Sequence, residues 1–253
     1  MKLVRLGSLE VIETGDLLER DTGRVFRLAD VKILSSPDSK IRENYRQNVG
    51  DFIGNSSGFS EISVGFVENS AKTGGRFGRI SGHLYGKMVS TTSVGSKTIW
   101  LQKLLLEAGI VVAEPQRRTK SVAKKEGDCR SALIRAEQRA RRLKKGIWRD
   151  SATFLTSASA TDFASREGRF HLVEGRVVSV GVRPRTLYLN FGRRWKTDFT
   201  VIVAKSDVKR FNGGETFFRR LESARVRVRG YLEQRDGGLI RVRHPGQIEQ
   251  LSN

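Results

Sequence analysis

Thiols, imidazoles and long apolar runs are all scarce in this chain, and each scarcity removes a class of function. The single cysteine, Cys129, excludes an internal disulfide and leaves a metal–thiolate centre without ligands. It falls in a helical pattern, where a lone cysteine behaves as a small apolar side chain. The three histidines, His83, His171 and His244, are scattered with none of the short spacings of a zinc site. No apolar run reaches the roughly 18 residues that span a bilayer, and the start, MKLVRLGSLE, carries no signal-like apolar core. The expected location is therefore the cytoplasm, or the periplasm or exterior if a signal precedes this sequence.

What the chain has in excess is positive charge. Lys and Arg number 47 against 27 Asp and Glu, a formal net charge of +20 that points to a polyanion as partner. The excess divides evenly: residues 166–253 hold 19 basic and 9 acidic side chains, leaving 28 and 18 for residues 1–165, so each part carries +10. Neither part is merely a basic tail. A hydrophobic share of 38% over 253 residues suffices for one large core or two small ones.

Residues 2–33 alternate short apolar and polar runs around Gly7, Gly15 and Gly23, which predicts three strands in a meander; 61–68, 79–85 and 87–90 continue in the same way. Between these sets, Ile41, Tyr45, Val49 and Phe52 share one helical face over residues 39–53. Helices are also expected over 98–108 and 126–146. The order predicts a small barrel with helices packed on it, an α+β, mainly β arrangement over residues 1–150. The Ser-, Ala- and Thr-rich stretch after it, within 151–168, reads as a linker. In residues 169–253, strand candidates at 172–182, 186–191, 199–204, 225–233 and 239–243, with a helical connection before the fourth, give the order of a small OB-like β-barrel. Arg235-Asp236-Gly237-Gly238 fits a hairpin between the last two.

Three segments together resemble the thermonuclease, or staphylococcal-nuclease-like, family. Val11-Ile12-Glu13-Thr14-Gly15-Asp16-Leu17 followed by Val25-Phe26-Arg27-Leu28-Ala29 is similar to that family's V-I-D-G-D-T strands and R-L; Gly75-Arg76-Phe77-Gly78-Arg79 resembles D-K/R-Y-G-R. The third segment, Leu105-Leu106-Glu107-Ala108-Gly109 through Glu137, Ala140-Arg141 and Gly146-Ile147-Trp148, resembles the closing L-L-x-x-G and E-x-x-A-R-x-x-x-x-G-x-W. The resemblance covers residues 4–150 and implies a thermonuclease-like OB barrel with a calcium-dependent phosphodiesterase site. The second unit looks like the OB-like domain that follows the nuclease unit in some bacterial members.

Within that resemblance, Arg27 and Arg79 match the two phosphate-holding arginines, whose guanidinium forks suit phosphate. The acidic positions are altered. Ungapped matching puts Gly15 where the family has its second, metal-binding Asp, Lys32 where another Asp stands, and Ser35 at the catalytic Glu. A gapped match places Asp38 there instead, and Asp30 and Glu13 share strand parity with Lys32 and Gly15. Asp38 is thus the third catalytic candidate and Asp30 and Glu13 are the metal candidates, with Ca2+ the implied cofactor if the site cuts. A two-residue displacement moves a ligand by about 6–7 Å, against calcium–oxygen distances near 2.3–2.6 Å.

Binding needs only cations and stacking rings. The candidates are Arg117 and Arg118, with Lys120, after a Val-Val strand, and Arg193, Arg194, Trp195 and Lys196 after Phe191, with Tyr188 offering a ring. The run Arg139, Arg141, Arg142, Lys144 and Lys145 reads either as a solvated helix face or as a further contact surface. The expected function is binding of DNA or RNA by a protein with a degenerate thermonuclease-like domain; a divalent-cation-dependent nuclease and a protein-interaction scaffold are the alternatives.

Overall fold

Alternation decides the first sheet. In the strand Arg24–Leu28, Phe26 and Leu28 are buried while Arg27 between them faces out, as period-two geometry requires of a strand with one face on a core. The computed structural model describes residues 3–13, 15–33, 39–54, 59–66, 78–89, 96–114, 123–153, 155–194 and 196–251. It divides into two units, Met1–Ala113 with Gly127–Arg149, and Glu114–Glu126 with Asp150–Asn253. Both are α+β with sheet predominating, and no described helix is long and apolar enough to cross a membrane.

The first unit holds β1 (Leu3–Arg5), β2 (Leu9–Val11), β3 (Leu17–Glu19), β4 (Arg24–Leu28), β5 (Val31–Lys32), helix α1 (Ser39–Gly54), β6 (Phe59–Phe66), β7 (Arg79–Val89), β8 (Ser96–Trp100), helix α2 (Leu101–Ala108) and β9 (Val112–Ala113). Helix α3 (Ala123–Arg142) follows. The main sheet runs β1-β6-β7-β4-β3-β2, with β8 on β7 and a separate β5–β9 pair. Its ends, β1 and β2, are consecutive in the chain, and β4 lies parallel to β7 while its other neighbour is antiparallel. Tyr45, Val49 and Phe52 of α1 are buried, and Leu105 and Leu106 of α2 join the same core. The helix expected from residue 98 begins instead at Leu101. Lys97–Trp100 belongs to β8 and pairs with β7 from Met88 back to Tyr85.

The second unit holds β10 (Leu155–Ser157), β11 (Phe170–Arg176), β12 (Ser179–Val182), β13 (Thr186–Asn190), β14 (Thr200–Ala204), helices α4 (Lys205–Val208) and α5 (Glu215–Arg219), β15 (Arg225–Arg235), β16 (Gly237–Arg241) and β17 (Ile248–Gln250). The order is β10-β11-β15-β16-β14-β13-β12, with β17 on β15 and with β14 parallel to β16. The expected hairpin is present: Arg235 pairs with Gly237 around Asp236 at φ 63°. The stretch expected to be a linker is built into this unit. β10 pairs in parallel with β11, and Ala158 and Phe163 are buried in the core. Its residues pack against glycines of the sheet: a Cβ on Gly175 would lie 2.4 Å from the Ala158 methyl, and one on Gly238 would lie 2.4 Å from the Phe163 ring.

Candidate functional site

Strand register brings two arginines and one aspartate together. Leu17 of β3 pairs with Phe26 of β4, so the next position back, Asp16, falls opposite Arg27. In the parallel β4–β7 pair Val25 faces Arg79, which puts Arg79 on the same sheet face as Arg27, away from Phe26. A turn sets Asp16: Gly15 N–H donates to Ile12 O at 2.8 Å and Ile12 N–H to Asp16 O at 3.0 Å. Gly15 has φ +80°, and a Cβ there would meet Ile33 Cδ1 at 2.8 Å, so only glycine fits. The buried Tyr45 hydroxyl of α1 donates to Gly15 O at 2.9 Å and pins the turn from below. Burial, and after it the Asp16 charge, push the Tyr45 phenol above its ordinary range, so it remains a donor.

Arg27 Nε donates to Asp16 Oδ1 at 3.2 Å, and Arg79 Nε lies 3.0 Å from Oδ2. The Asp16 side chain is 6% exposed, and the Arg27 and Arg79 side chains are 49% and 33% exposed. Each arginine spends its Nε on Asp16, and among the described residues neither has another partner, so the Nη donors are free to grip an oxyanion. The cluster carries one net positive charge and two forks held on one anchor, which suits a phosphodiester oxygen pair.

The other candidates lie apart or outside. Asp30 is buried at φ 60°, with His83 Nε2 3.5 Å from its Oδ2. His83 stands on the same face of β7, two residues past Ser81, the partner of Arg27; that is about 6–7 Å farther along. Glu13 is exposed on the turn, and Lys32 sits in β5 beside Val112. Asp38, Arg117 and Arg118 lie outside the described residues, as does Trp195. Among the described residues no group of three His, Cys, Asp or Glu side chains comes together in a way that could hold a metal. Asp16 offers two oxygens, both turned to guanidinium nitrogens, where a calcium ion takes six to eight oxygens. The described donor set therefore fits a phosphate and does not fit the cation.

Asp16 itself was passed over in the sequence because ungapped matching gave its place to Gly15. Counting Thr14 as a single inserted residue puts Gly15-Asp16 on the family's G-D, and that was the available signal.

The motif that carries the resemblance most specifically does structural work. Glu137, fully buried, accepts from Ala113 N–H at 2.7 Å and pairs with Arg141 at 3.4 Å; Arg141 lies 5.4 Å over the Trp148 ring. Gly109 and Gly146 sit back to back, where a Cβ on Gly109 would lie 2.2 Å from Lys145 O and one on Gly146 would lie 2.2 Å from Gly109 O. The E-x-x-A-R and G-x-W spacings clamp α3 and its exit onto β9 and the end of α2.

In the second unit Leu187 and Leu189 enter the core, so Tyr188 faces outward, half-buried, between Gly181 of β12 and Ile202 of β14. The loop after β13 folds on itself: Arg194 N–H donates to Asp198 Oδ2 at 2.6 Å, and the Thr197 and Asp198 amides donate to Arg194 O. This leaves Arg193, Arg194 and Lys196 exposed. The turn at the other end of β13 exposes Arg183 and Arg185, which the sequence reading did not single out though Arg183-Pro184-Arg185 carried the signal. Compared with known proteins, the chain matches no family model and no curated protein.

Proposed function

We propose that the chain is a nucleic-acid-binding protein built of two OB-type barrels, the first resembling the thermonuclease family and holding phosphate without cutting it. The observation that carries this reading is the seat of Arg27 and Arg79, each through its Nε, on a single buried carboxylate, with both arginine side chains still partly exposed. Strand order supports the barrels: in each unit the first strand is split into two runs, β1–β2 and β11–β12, that flank the path 1-4-5-3-2-1, and the third strand is parallel to the fifth. In the second unit, Tyr188 between two basic turns supports contact with single strands, where rings stack bases and cations track phosphates.

The test incubates the purified full chain with labelled single-stranded DNA and RNA of about 20 nucleotides, with calcium or with EDTA, from about 50 mM salt upward. The expected result is binding that weakens steeply with salt, is indifferent to EDTA and leaves the strands intact. Calcium-dependent cleavage that disappears in Arg79→Ala would establish the nuclease reading instead. Absence of any salt-sensitive binding would favour a protein-interaction scaffold.

A further inference from the structure

Helix α3 buries Leu133, Ala136, Glu137 and Ala140 and exposes Arg135, Arg139 and Arg142, which are four and three residues apart and so share one face. The helix ends in a reversal, with Lys145 N–H donating to Ala140 O at 3.0 Å and Lys144 at φ 50°, which keeps Lys144 and Lys145 outward. Arg149 follows, exposed, beside the buried anchor Trp148. From Arg130 to Arg149 the only acid is Glu137, and it is buried against Ala113 N–H and Arg141. Among the described residues none of these six cations has an ion pair or hydrogen bond from its side chain, whereas Arg141, one position away, is paired and stacked.

Two structural explanations fall short of this pattern. The helix dipole favours cations in the last turn, which accounts for Arg139 and Arg142 but neither for Arg135, two turns from the end, nor for Arg149 beyond it. Stabilisation of the helix by side-chain pairs works against the pattern, since like charges at i and i+4 are unfavourable. From this stripe we infer a second phosphate-tracking surface, Arg135–Arg139–Arg142 continued by Lys144, Lys145 and Arg149, that lies along a nucleic-acid backbone. Seven residues of helix rise about 10 Å, close to three phosphate steps of a duplex strand at about 3.4 Å each. This surface deepens the nucleic-acid-binding reading and rests on it.

The test compares wild type with a triple Gln variant, Arg135→Gln, Arg139→Gln and Arg142→Gln, and with the triple Lys variant that keeps the charge. Affinity for labelled single strands and duplex is measured against salt concentration. Each lost contact lowers the slope of log K on log salt by about 0.7–0.9, so the Gln triple is expected to lose about 2 or more, and roughly 100-fold in affinity near 0.1 M salt. The Lys triple keeps the wild-type slope. Should the Gln triple melt early, each single Gln variant is read by the same slope. Wild-type binding with a slope unmoved in the Gln variants overturns this surface alone. So does capture of wild type by phosphatidylserine vesicles that is lost in the Gln triple while the nucleic-acid slope stays. No salt-sensitive binding by wild type overturns the parent reading as well.

Discussion

Arg27 and Arg79 share one anchor, so their removal is non-additive, and the size of the departure can be worked from the geometry. Arg79→Gln leaves Asp16 with the Arg27 Nε at 3.2 Å; the partner lost is one-third exposed, so the stability cost is that of a partly solvated pair, about 0.5–1 kcal/mol. Arg27→Gln costs a similar amount or less. The double variant strips both arginines from an Asp16 side chain that is 6% exposed. Leaving one partner of a buried pair uncompensated costs about 3–5 kcal/mol; discounted for the exposure of the arginines, about 2–3 kcal/mol is expected. Adding Asp16→Asn removes the stranded charge and is expected to recover most of it. Urea unfolding followed by far-ultraviolet circular dichroism measures the cycle on the first unit's transition. Binding is read in parallel, where each single Arg variant loses about 0.7–0.9 of salt slope. Strict additivity of the two Arg variants, together with no rescue by Asp16→Asn, would refute the shared anchor.

Three further outcomes follow from other contacts. Gly146→Ala places a Cβ 2.2 Å from Gly109 O at a residue with φ +53°, and is expected to cost about 2–3 kcal/mol, seen as a lower melting temperature with the second unit's transition unmoved. Tyr188→Ala is expected to weaken single-strand binding by about 1–3 kcal/mol while leaving the salt slope unchanged, since it removes a ring and no charge. Burial works to raise the Glu19 carboxyl, yet hydrogen bonds from Thr22, the Gly7 amide and Arg24 hold it below its ordinary 4.5. The unfolded chain then takes up the proton first, so this contribution is full above about 4.5 and is lost as pH falls through the lower folded-state value. Glu19→Gln should cost about 1–3 kcal/mol at neutral pH and flatten that acid limb in pH-dependent denaturation.

The strands and the core of α1 were legible because period and burial coincide there: Tyr45, Val49 and Phe52 are apolar, helically spaced and buried. The start of α2 was not. Ile99, Trp100 and Leu101 form an unbroken apolar run that satisfies either period, and no Gly or Pro marks where β8 ends. The segment containing Ala158 and Phe163 looked like a linker because small residues read as flexibility, when here Ala158 is small to seat against Gly175 and the Phe163 ring packs over Gly238. Asp16 was hidden by one inserted residue. Motif matching counts positions, whereas the Gly15 turn absorbs the extra residue and still delivers the carboxylate opposite Arg27. Arg183-Pro184-Arg185 and Arg193 already flank the strand expected at 186–191, and what the sequence alone did not say is that the side chains at both ends of it are exposed.

Net charge alone says little about where a polyanion lies, and pairing divides the cations into those already spent and those available. Arg227 is committed to Glu174 and Arg241 to Glu233, Arg24 to Glu19, and Arg141 to Glu137 and Trp148. Among the described residues, cations whose side chains hold no protein partner include Arg135, Arg139, Arg142, Lys144, Lys145 and Arg149 at α3 and its exit and Arg183, Arg185, Arg193 and Arg194 at the two turns of β13, while Arg27 and Arg79 hold only Asp16. Arg27, Arg79, Arg135, Arg139 and Arg142 sit on strand or helix, so their side chains lose little further backbone freedom on meeting a phosphate. Because the salt slope counts contacts, the three groups can be removed in turn and their decrements summed. If one phosphate chain runs over all of them, the decrements add to the wild-type slope. If they serve separate ligands, each variant changes the binding of one ligand and leaves the slope for the others where it was.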